Sequence, residues 1–262
     1  QRQMCIRDRI IPAYNEEKTI ERCINEIVQF CTDQNFDYEI IVAEDGSIDN
    51  TVEIVTRLST ANSRIKILSS RKNLGKGNAV QNGMLHATKN YVGFMDADLS
   101  ALPKELLRCI NYIHDYDLVI GSRLVRDDLG KIQRPLSRTL LSHLYSFLFR
   151  ILFNIPIKDT QCGFKCFRGD VAELLFPLQR TPGWGFDVEL LFLARMLHLQ
   201  LMEVPIDWHH DSDSRSHRLR NGISMGVGTL RLRWSAWRGI YGVLEPSLLA
   251  RGDNKKRTKE RR

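Results

Sequence analysis

Two aspartates, Asp96 and Asp98, follow the short apolar run Tyr91–Met95. The run is rich in aromatic and apolar residues and too short for a helix, so it predicts a buried strand. Because side chains alternate along a strand, both carboxylates project to the same side where the strand leaves the core. Two carboxylates there could hold a hard divalent cation, with phosphate oxygens completing the coordination. An ordinary turn that places Asp at the strand end is the alternative, and the pattern by itself favours it.

The strand and helix patterns alternate over residues 9–122, which predicts repeated β-α-β units. Such units form a mostly parallel sheet with helices on both faces, an α/β fold. Ligands bind at the carboxyl ends of the strands in sheets of this kind. Four further predicted strands end in polar or glycine-rich loops, which we expect beside Asp96 and Asp98. These loops are residues 12–17 (PAYNEE), 44–47 (EDGS), 71–77 (RKNLGKG) and 121–123 (GSR).

Three residues of these loops suit a nucleotide or a phosphate. Asp45 could hydrogen-bond a nucleobase or a ribose, although capping of the following helix explains it equally well. Lys76 lies between two glycines at a predicted helix start, where backbone N–H groups and its ammonium could bind phosphate. Arg123 could make a charge-assisted phosphate contact, or it is a surface arginine. Both the P-loop pattern and the dinucleotide fingerprint are absent, which argues against a dinucleotide oxidoreductase.

Composition indicates a folded protein and excludes several classes. The 262 residues are 43% hydrophobic with a net charge of +7. Residues 251–262 carry seven Lys/Arg against two Asp/Glu, so the rest of the chain is only about +2 and a general nucleic-acid-binding surface is not indicated. The six cysteines form no CxxC pair and no disulfide-like framework, which favours a reducing cytosolic compartment and disfavours zinc. Residues 1–9 lack an apolar pattern, and we predict a non-native scar outside the fold.

No uncharged apolar stretch is long enough to predict a transmembrane helix. Two segments could instead lie in a membrane interface or pack on their own domain. One is residues 140–155, and the other is residues 223–250, where arginines alternate with Trp234 and Trp237. Residues 251–262 form a basic tail. We expect peripheral association with the cytoplasmic face of a membrane.

Five motifs, in their order and spacing, resemble family-2 glycosyltransferases of the GT-A fold, a Rossmann-like α/β fold. They are IPAYNEE (11–17), EDGSIDNT (44–51), NLGKGNAVQNG (73–83), DADLS (96–100) and GSR (121–123). Residues 159–165 (DTQCGFK) and 184–189 (WGFDVE) are similar to segments of dolichyl-phosphate glucosyltransferases and dolichol-phosphate mannose synthases. The mannosyltransferases often have Gln where Ser100 stands. The resemblance implies a catalytic domain over residues 10–222, followed by C-terminal amphipathic helices.

The resemblance also implies roles for individual residues. The nucleotide would contact Pro12, Tyr14, Glu16, Asp45 and Lys76. Asp96 and Asp98 would bind Mg²⁺ or Mn²⁺ bridging the diphosphate. Donor or acceptor phosphates would meet Arg123, Arg138, Ser214 and Arg215, the last two lying where the group commonly has Ser-Lys.

The reaction implied is transfer of a hexose from UDP-glucose or GDP-mannose to a polyprenyl or dolichyl phosphate. A phosphate acceptor is largely ionised near neutral pH, since its second pKa is about 6, and it needs positioning and cationic groups but no strong base. Single displacement with inversion then gives a β-linked sugar. A hydroxyl acceptor would require a carboxylate base, for which Asp187 and Glu189 are the candidates, unless they are merely an acidic pair at a helix start.

Three other functions remain open. A glycosyltransferase acting on a hydroxyl acceptor in polysaccharide or glycolipid synthesis would use the same donor site. A sugar nucleotidyltransferase would also combine an α/β nucleotide-binding half with acidic metal ligands, but its glycine-rich signature after the first strand is absent. A non-catalytic basic binding protein would not depend on Asp98. Residues 208–217 predict a loop that closes over the donor, with His209 and His210 as weak metal candidates.

Overall fold

The computed structural model describes residues 5–125, 152, 153, 155–208, 228, 232–234, 237–239 and 241. The strands are β1 (Cys5–Ala13), β2 (Asp37–Glu44), β3 (Ile65–Ser69), β4 (Tyr91–Met95), β5 (Leu118–Ser122), β6 (Phe164–Arg168) and β7 (Leu201–Pro205). The helices are α1 (Ile20–Asp33), α2 (Thr51–Ala61), α3 (Lys76–Leu85), α4 (Leu106–Ile113), α5 (Gly169–Leu175) and α6 (Phe186–Met196). Short 3₁₀ turns, Pro103–Glu105 and Phe176–Leu178, precede α4 and follow α5.

The described strands form one sheet in the order β3-β2-β1-β4-β6-β5-β7. All neighbouring pairs are parallel except those of β6, which runs antiparallel to β4 and β5. The mostly parallel α/β sheet predicted from the sequence is therefore confirmed. The antiparallel strand has a consequence for the site: Phe164, where β6 begins, pairs with Met95, where β4 ends. Residues before β6 thus lie at the same edge as residues after β4.

Helices cover both faces of the sheet because its strands are apolar on both sides. Ile10 and Ile11 are adjacent in β1 and fully buried, but they belong to two different core clusters. Ile10 packs in the cluster that includes residues of α3, α5 and α6, and Ile11 in the cluster that includes residues of α1, α2 and α4. Strand alternation produces this division, because successive side chains point to opposite faces.

The helices differ in how much of their surface they bury. In α1, buried Ile20, Ile24 and Ile27 follow the spacing of one helix face. In α6, every residue from Phe186 to Ala194 is buried, including two carboxylates. A helix that is buried all round forms part of the core, and α6 therefore brings its acidic residues inside the protein.

The first strand begins earlier than expected. β1 starts at Cys5, and Asp8 and Arg9 are buried. The Asp8 carboxylate accepts hydrogen bonds from the backbone N–H groups of Thr88 and Lys89. The expectation that residues 1–9 stand outside the fold is corrected for residues 5–9. Residues 1–4 lie outside the described residues, and the non-native origin of the segment stays a prediction.

The two segments proposed for a membrane interface are described only in part. Of residues 140–155, Leu152 and Phe153 are helical, and Phe153 and Ile155 are buried in the core. The rest of this segment and the tail at 251–262 lie outside the described residues. No helix in the described part of the chain reaches the length and apolar character that a membrane crossing requires.

Within residues 223–250, the described side chains point in two directions. Leu232 and Tyr241 are buried in the core cluster that includes α6. Trp234 and Trp237 are 50% and 80% exposed, and the Arg238 guanidinium lies 3.5 Å from the centre of the Trp234 ring. The segment is therefore amphipathic at these positions, with an inward apolar face and an outward face of tryptophan and arginine.

Phe94 of β4 provides a test of this core. It is fully buried, and its ring centroid lies 5.6 Å from that of Phe186 and 6.3 Å from that of Phe167. We expect Phe94→Ala to lower the free energy of unfolding by about 3–5 kcal/mol, because it removes a large buried ring and leaves a cavity. Urea denaturation measures the change. Ile48→Ala is the control. Ile48 is 88% exposed, so the substitution should change stability by less than about 1 kcal/mol. Equal losses would contradict the described core.

Candidate active site

The loops after the strands meet at one edge of the sheet around Asp96. The Lys76 ammonium, at the first residue of α3, lies 2.5 Å from Asp96 Oδ1. Two residues further on, Asp98 accepts a hydrogen bond of 2.9 Å from the Ser100 N–H. Leu99 between them has a φ of 55°, a left-handed conformation that costs energy for a branched apolar residue. This tight turn keeps both carboxylates at the edge, as the sequence predicted, and gives Ser100 the role of supporting Asp98.

Like charges crowd this edge. Burial raises the pKa of Asp98, and the neighbouring Asp96 carboxylate raises it further. Burial also raises the pKa of Glu16, and the negative charges of Asp98 and Asp96 raise it further. For Lys76, burial lowers the pKa, but Asp96, Asp187 and Asp98 together raise it above its ordinary value. The site therefore contains more negative than positive charge, and its lysine stays protonated.

Asp45 holds the loop that carries Lys76. Its two carboxylate oxygens accept hydrogen bonds from the N–H groups of Leu74 (2.9 Å) and Gly75 (2.8 Å). Gly46 next to it has a φ of 75°, and a Cβ there would lie 2.4 Å from the Lys72 carbonyl carbon. Asp45 is thus close to the predicted phosphate loop and positions it. Its predicted contact with a nucleobase or ribose stays a prediction.

Hydrogen bonds clasp the loop after β1 to the loop after β2. The Asn15 N–H donates to Ser47 Oγ at 3.0 Å, and the Ile48 N–H donates back to Asn15 Oδ1 at 2.9 Å. The Glu16 N–H donates to Thr51 Oγ1 at 2.8 Å. This clasp leaves the Tyr14 side chain partly exposed, at 44% for the residue, just beyond the end of β1.

The other predicted residues of this loop also lie at the carboxyl edge of the sheet. Pro12 belongs to β1 and pairs with Ala43 of β2. The Glu16 carboxylate accepts a hydrogen bond of 2.6 Å from Thr19 Oγ1. Tyr14 and Pro12 are thus at the carboxyl edge with Glu16, and their contact with a nucleotide stays a prediction.

The antiparallel strand β6 brings residues 159–163 to the same edge. Gly163 lies against Asp96 so closely that a Cβ there would be 2.1 Å from Asp96 Oδ2. Asp159 binds Arg123 in a bidentate pair, with distances of 2.7 Å to Nε and 2.8 Å to Nη2. The Arg123 guanidinium also lies 4.8 Å from the centre of the Trp208 ring. Burial lowers the pKa of Arg123, but Asp159 raises it well above its ordinary value.

Asp187, a candidate general base, is buried behind Lys76. Its Oδ1 lies 2.5 Å from the ammonium of Lys165, a residue that is 0% exposed and also donates to the Cys162 carbonyl at 2.7 Å. Burial raises the pKa of Asp187 above its ordinary value, although the charges of Lys165 and Lys76 act in the opposite direction. This carboxylate is committed to a buried ion pair, which disfavours proton abstraction from a substrate.

Glu189, the other candidate base, is not brought to this edge. It is 0% exposed and accepts hydrogen bonds from the N–H groups of Arg180 (2.9 Å) and Thr181 (2.7 Å) and from the Tyr241 hydroxyl. Residues two apart on a helix point in different directions, so Asp187 and Glu189 cannot share a site. Its role as a base stays a prediction that burial disfavours.

Several predicted residues lie outside the described part of the chain, and several well-placed ones were missed. Arg138, His209, His210, Ser214 and Arg215 lie outside it. Sequence reasoning did not assign Asp159, Gly163 or Lys165, although the motif at residues 159–165 was the available signal. It also assigned no contact to Trp184. This residue is 43% exposed, and the centre of its ring lies 4.8 Å from the Lys76 ammonium.

A metal fits this edge only together with another oxygen ligand. Among the described residues, no group of three or more His, Cys, Asp and Glu side chains is arranged to hold a metal ion. Asp96 and Asp98 nevertheless supply two hard carboxylate ligands. Gly163 leaves no side chain beside Asp96 Oδ2. The excess of negative charge around Asp98 and Glu16 also fits a divalent cation.

A mostly parallel α/β sheet with a lysine-bearing glycine loop and paired aspartates at its carboxyl edge is typical of proteins that bind nucleotides or other phosphate compounds there. The family model for Glycosyl transferase family 2 matches residues 9–176. The chain belongs to this family and is a glycosyltransferase.

Similar proteins and structures agree with this assignment. A dolichyl-phosphate beta-glucosyltransferase of Trichomonas vaginalis is 35% identical over 89% of this chain and 72% of its own length. Proteins of the same name from Dictyostelium discoideum and Homo sapiens are 33% and 30% identical, each over 76% of its length and over 89% and 87% of this chain. Glucosyl-3-phosphoglycerate synthase of Mycobacterium tuberculosis, solved with Mn²⁺, UDP and phosphoglyceric acid, superposes with a TM-score of 0.66 at 21% identity, covering 86% of this chain and 78% of that one. This likeness confirms the GT-A fold.

The crowding of like charges predicts that the ionised Asp98 carboxylate lowers the stability of the metal-free protein. A carboxylate whose folded-state pKa is raised stabilises the fold below its unfolded pKa, and that stability is lost as pH rises through the folded pKa. At pH 7 we therefore expect Asp98→Asn to raise the Tm of the metal-free protein by about 2–4 °C, the shift that about 1 kcal/mol produces in a chain of this size. The gain should shrink as the pH falls towards about 4.

Thermal unfolding followed by circular dichroism in EDTA measures this effect. Glu26→Gln replaces an exposed carboxylate of α1 and serves as the control, with no expected change in Tm. A lower Tm of Asp98→Asn at pH 7 would show that the Asp98 charge is compensated in the folded protein.

Proposed function

We propose that this chain transfers glucose from UDP-glucose to dolichyl phosphate, forming a β-linked glucosyl lipid. The observation that carries the proposal is the set of relatives named dolichyl-phosphate beta-glucosyltransferase, 30–35% identical over 83–89% of this chain. Complexes of the M. tuberculosis synthase with UDP-glucose support the choice of donor. GDP-mannose remains the alternative donor that the sequence motifs left open.

The donor diphosphate would bind at the start of α3. Lys76 supplies a protonated ammonium there, and Asp45 fixes the preceding loop by accepting hydrogen bonds from the N–H groups of Leu74 and Gly75. A helix N-terminus beside a lysine suits phosphate oxygens. Tyr14, Pro12 and Glu16, on the clasped loop beside this one, would contact the nucleoside.

Asp96 and Asp98 would hold Mg²⁺ or Mn²⁺ together with the diphosphate. The cation supplies charge neutralisation for the nucleoside diphosphate as the leaving group. Lys76 acts in the same sense, because its ammonium lies at Asp96 and stays protonated. The absence of a side chain at Gly163 lets the Asp96 carboxylate pack closely against the backbone there.

A phosphate acceptor agrees with the environment of the two candidate bases, Asp187 and Glu189. Asp187 is paired with Lys165, and Glu189 is occupied by three hydrogen bonds, so neither is free to take a proton. An acceptor that is already ionised needs no base and only requires cationic groups that orient it. We propose this role for Arg123, whose guanidinium is oriented by Asp159 through Nε and Nη2 and keeps its charge. We propose the same role for Arg138, Ser214 and Arg215. Direct attack by the phosphate then inverts the anomeric centre.

The lipid acceptor requires contact with a membrane, which we propose on its cytoplasmic face. The outward side of the C-terminal segment carries Trp234, Trp237 and Arg238, whereas Leu232 and Tyr241 face the core. Exposed tryptophans beside arginines suit the headgroup region of a bilayer. The segment would thus remain attached to the domain by one side and touch lipid with the other.

A donor and acceptor matrix tests the proposed reaction. UDP-glucose and GDP-mannose are each assayed with dolichyl phosphate, dolichol and 3-phosphoglycerate in Mn²⁺, Mg²⁺ or EDTA. We expect glucose transfer from UDP-glucose to dolichyl phosphate only, lost in EDTA and reduced at least about 100-fold in Asp98→Ala. Transfer to dolichol would indicate a hydroxyl acceptor. Release of pyrophosphate in a separate reaction with UTP and glucose 1-phosphate would indicate a nucleotidyltransferase. Full activity of Asp98→Ala would refute the metal role.

Sedimentation with anionic liposomes tests the membrane contact. We expect Trp237→Ala to weaken binding about tenfold, because it removes the most exposed aromatic side chain of the outward face. Leu85→Ala is the control, since Leu85 is also exposed, at 51%, but lies at the far end of α3 from the site. A wild-type protein that stays in the supernatant would contradict peripheral association.

A further inference from the structure

Tyr241 of the C-terminal segment is directed into the protein, unlike the tryptophans before it. Its residue is 7% exposed, and its ring packs edge-on against Phe192 of α6 with centroids 5.5 Å apart. The Arg180 guanidinium lies 5.6 Å from the ring centre. Its hydroxyl donates a hydrogen bond to Glu189 Oε1, and burial and this bond raise the pKa of Tyr241, so the hydroxyl keeps its proton.

Glu189 connects Tyr241 to the segment 179–183, called here the bridging loop. Its carboxylate is fully buried, and burying it without hydrogen-bond donors would cost free energy. The backbone N–H groups of Arg180 and Thr181 each donate to one of its oxygens, at 2.9 Å and 2.7 Å. Hydrogen bonds to a charged acceptor are stronger than neutral ones, so this carboxylate fixes the start of the bridging loop.

The bridging loop in turn packs directly on the start of α3. Gln179 Nε2 donates to the Gly77 carbonyl at 2.8 Å, and the Asn78 N–H donates to the Pro182 carbonyl at 2.9 Å. A Cβ on Gly75 would lie 2.6 Å from the Pro182 oxygen, and one on Gly77 would lie 2.6 Å from the Thr181 oxygen. These contacts leave no free space, so a displacement of the bridging loop moves the residues on either side of Lys76.

We propose that Tyr241 and Glu189 are positioning residues for the phosphate contact made by Lys76. The hydroxyl of Tyr241 fixes the Glu189 carboxylate, the carboxylate fixes the bridging loop, and the loop sets the position of the Lys76 ammonium beside Asp96. The inference rests on the proposed function, because it assumes that Lys76 meets the donor diphosphate. Under this proposal, docking of the segment that carries Tyr241 onto the core strengthens diphosphate binding, and diphosphate binding strengthens that docking.

Tyr241→Phe isolates the hydroxyl, because it retains the ring against Phe192 and Arg180. Ligand-observed NMR on the full chain, in buffer containing Mg²⁺ and no Mn²⁺, measures the dissociation constants of UDP and of uridine. We expect Tyr241→Phe to weaken UDP binding on the order of tenfold and to leave uridine binding unchanged. Tyr112→Phe removes the hydroxyl of a partly exposed tyrosine in α4 and should change neither constant.

Glu189→Gln provides a second variant at the other end of the same hydrogen bond. We expect it to show the same selective loss for UDP, and the double variant should lose less than the product of the two single losses, because both remove one connection. Glu189→Gln removes a buried charge that accepts three hydrogen bonds and can fail to fold, in which case Tyr241→Phe decides the question alone. Thermal unfolding of each variant separates lost stability from lost affinity.

An unchanged ratio of UDP to uridine affinity in Tyr241→Phe overturns the inference, whether or not the variant is less stable. An equal loss for both ligands also overturns it, since that result indicates general loosening of the site. If the wild-type chain binds UDP but transfers no glucose to dolichyl phosphate, the proposed function fails and the affinity ratio still decides the inference. If it prefers GDP, the comparison uses GDP and guanosine; if it binds neither diphosphate, both proposals fail.

Discussion

Repulsion between carboxylates at the end of β4 is the constraint around which the site is arranged. Burial and the Asp96 carboxylate raise the pKa of Asp98, and burial and both aspartates raise the pKa of Glu16. The fold partly offsets the repulsion with Lys76. The remaining negative charge lowers stability in the absence of a ligand, and the same charge makes the edge suitable for a divalent cation and a diphosphate.

The compensating charges come from elements that are distant in the sequence. Antiparallel β6 supplies Lys165, which neutralises Asp187 behind Lys76, and the residues before β6 supply Asp159, which fixes Arg123. Cations and carboxylates thus alternate across the edge. A buried pair of this kind contributes little net stability, but loss of either partner would leave an uncompensated charge. The arrangement therefore fixes geometry more than it stabilises the fold.

The surroundings of Lys76 also link the donor site to the outer parts of the protein. Glycines on both sides let α3 begin in contact with the bridging loop, and that loop is held by a buried carboxylate of α6. The carboxylate reaches Tyr241, whose segment presents tryptophans on its other side. Under the proposed function, these contacts would hold the donor site and the proposed membrane-facing segment in a fixed relation.

The sequence alone determined the parallel α/β half of the fold and the residues at its edge. Strand β4 was predicted with its observed bounds, and Asp96, Asp98 and Lys76 were placed together, because local periodicity fixes a strand and parallel strands end on one side. Only the tertiary structure decided which charges pair. No local pattern predicts that β6 runs antiparallel between β4 and β5, so the motif at residues 159–165 was recognised without Gly163 or Asp159 being assigned to the site. Asp187 and Glu189 look equivalent in sequence, but the helix turns one towards Lys76 and the other towards Tyr241.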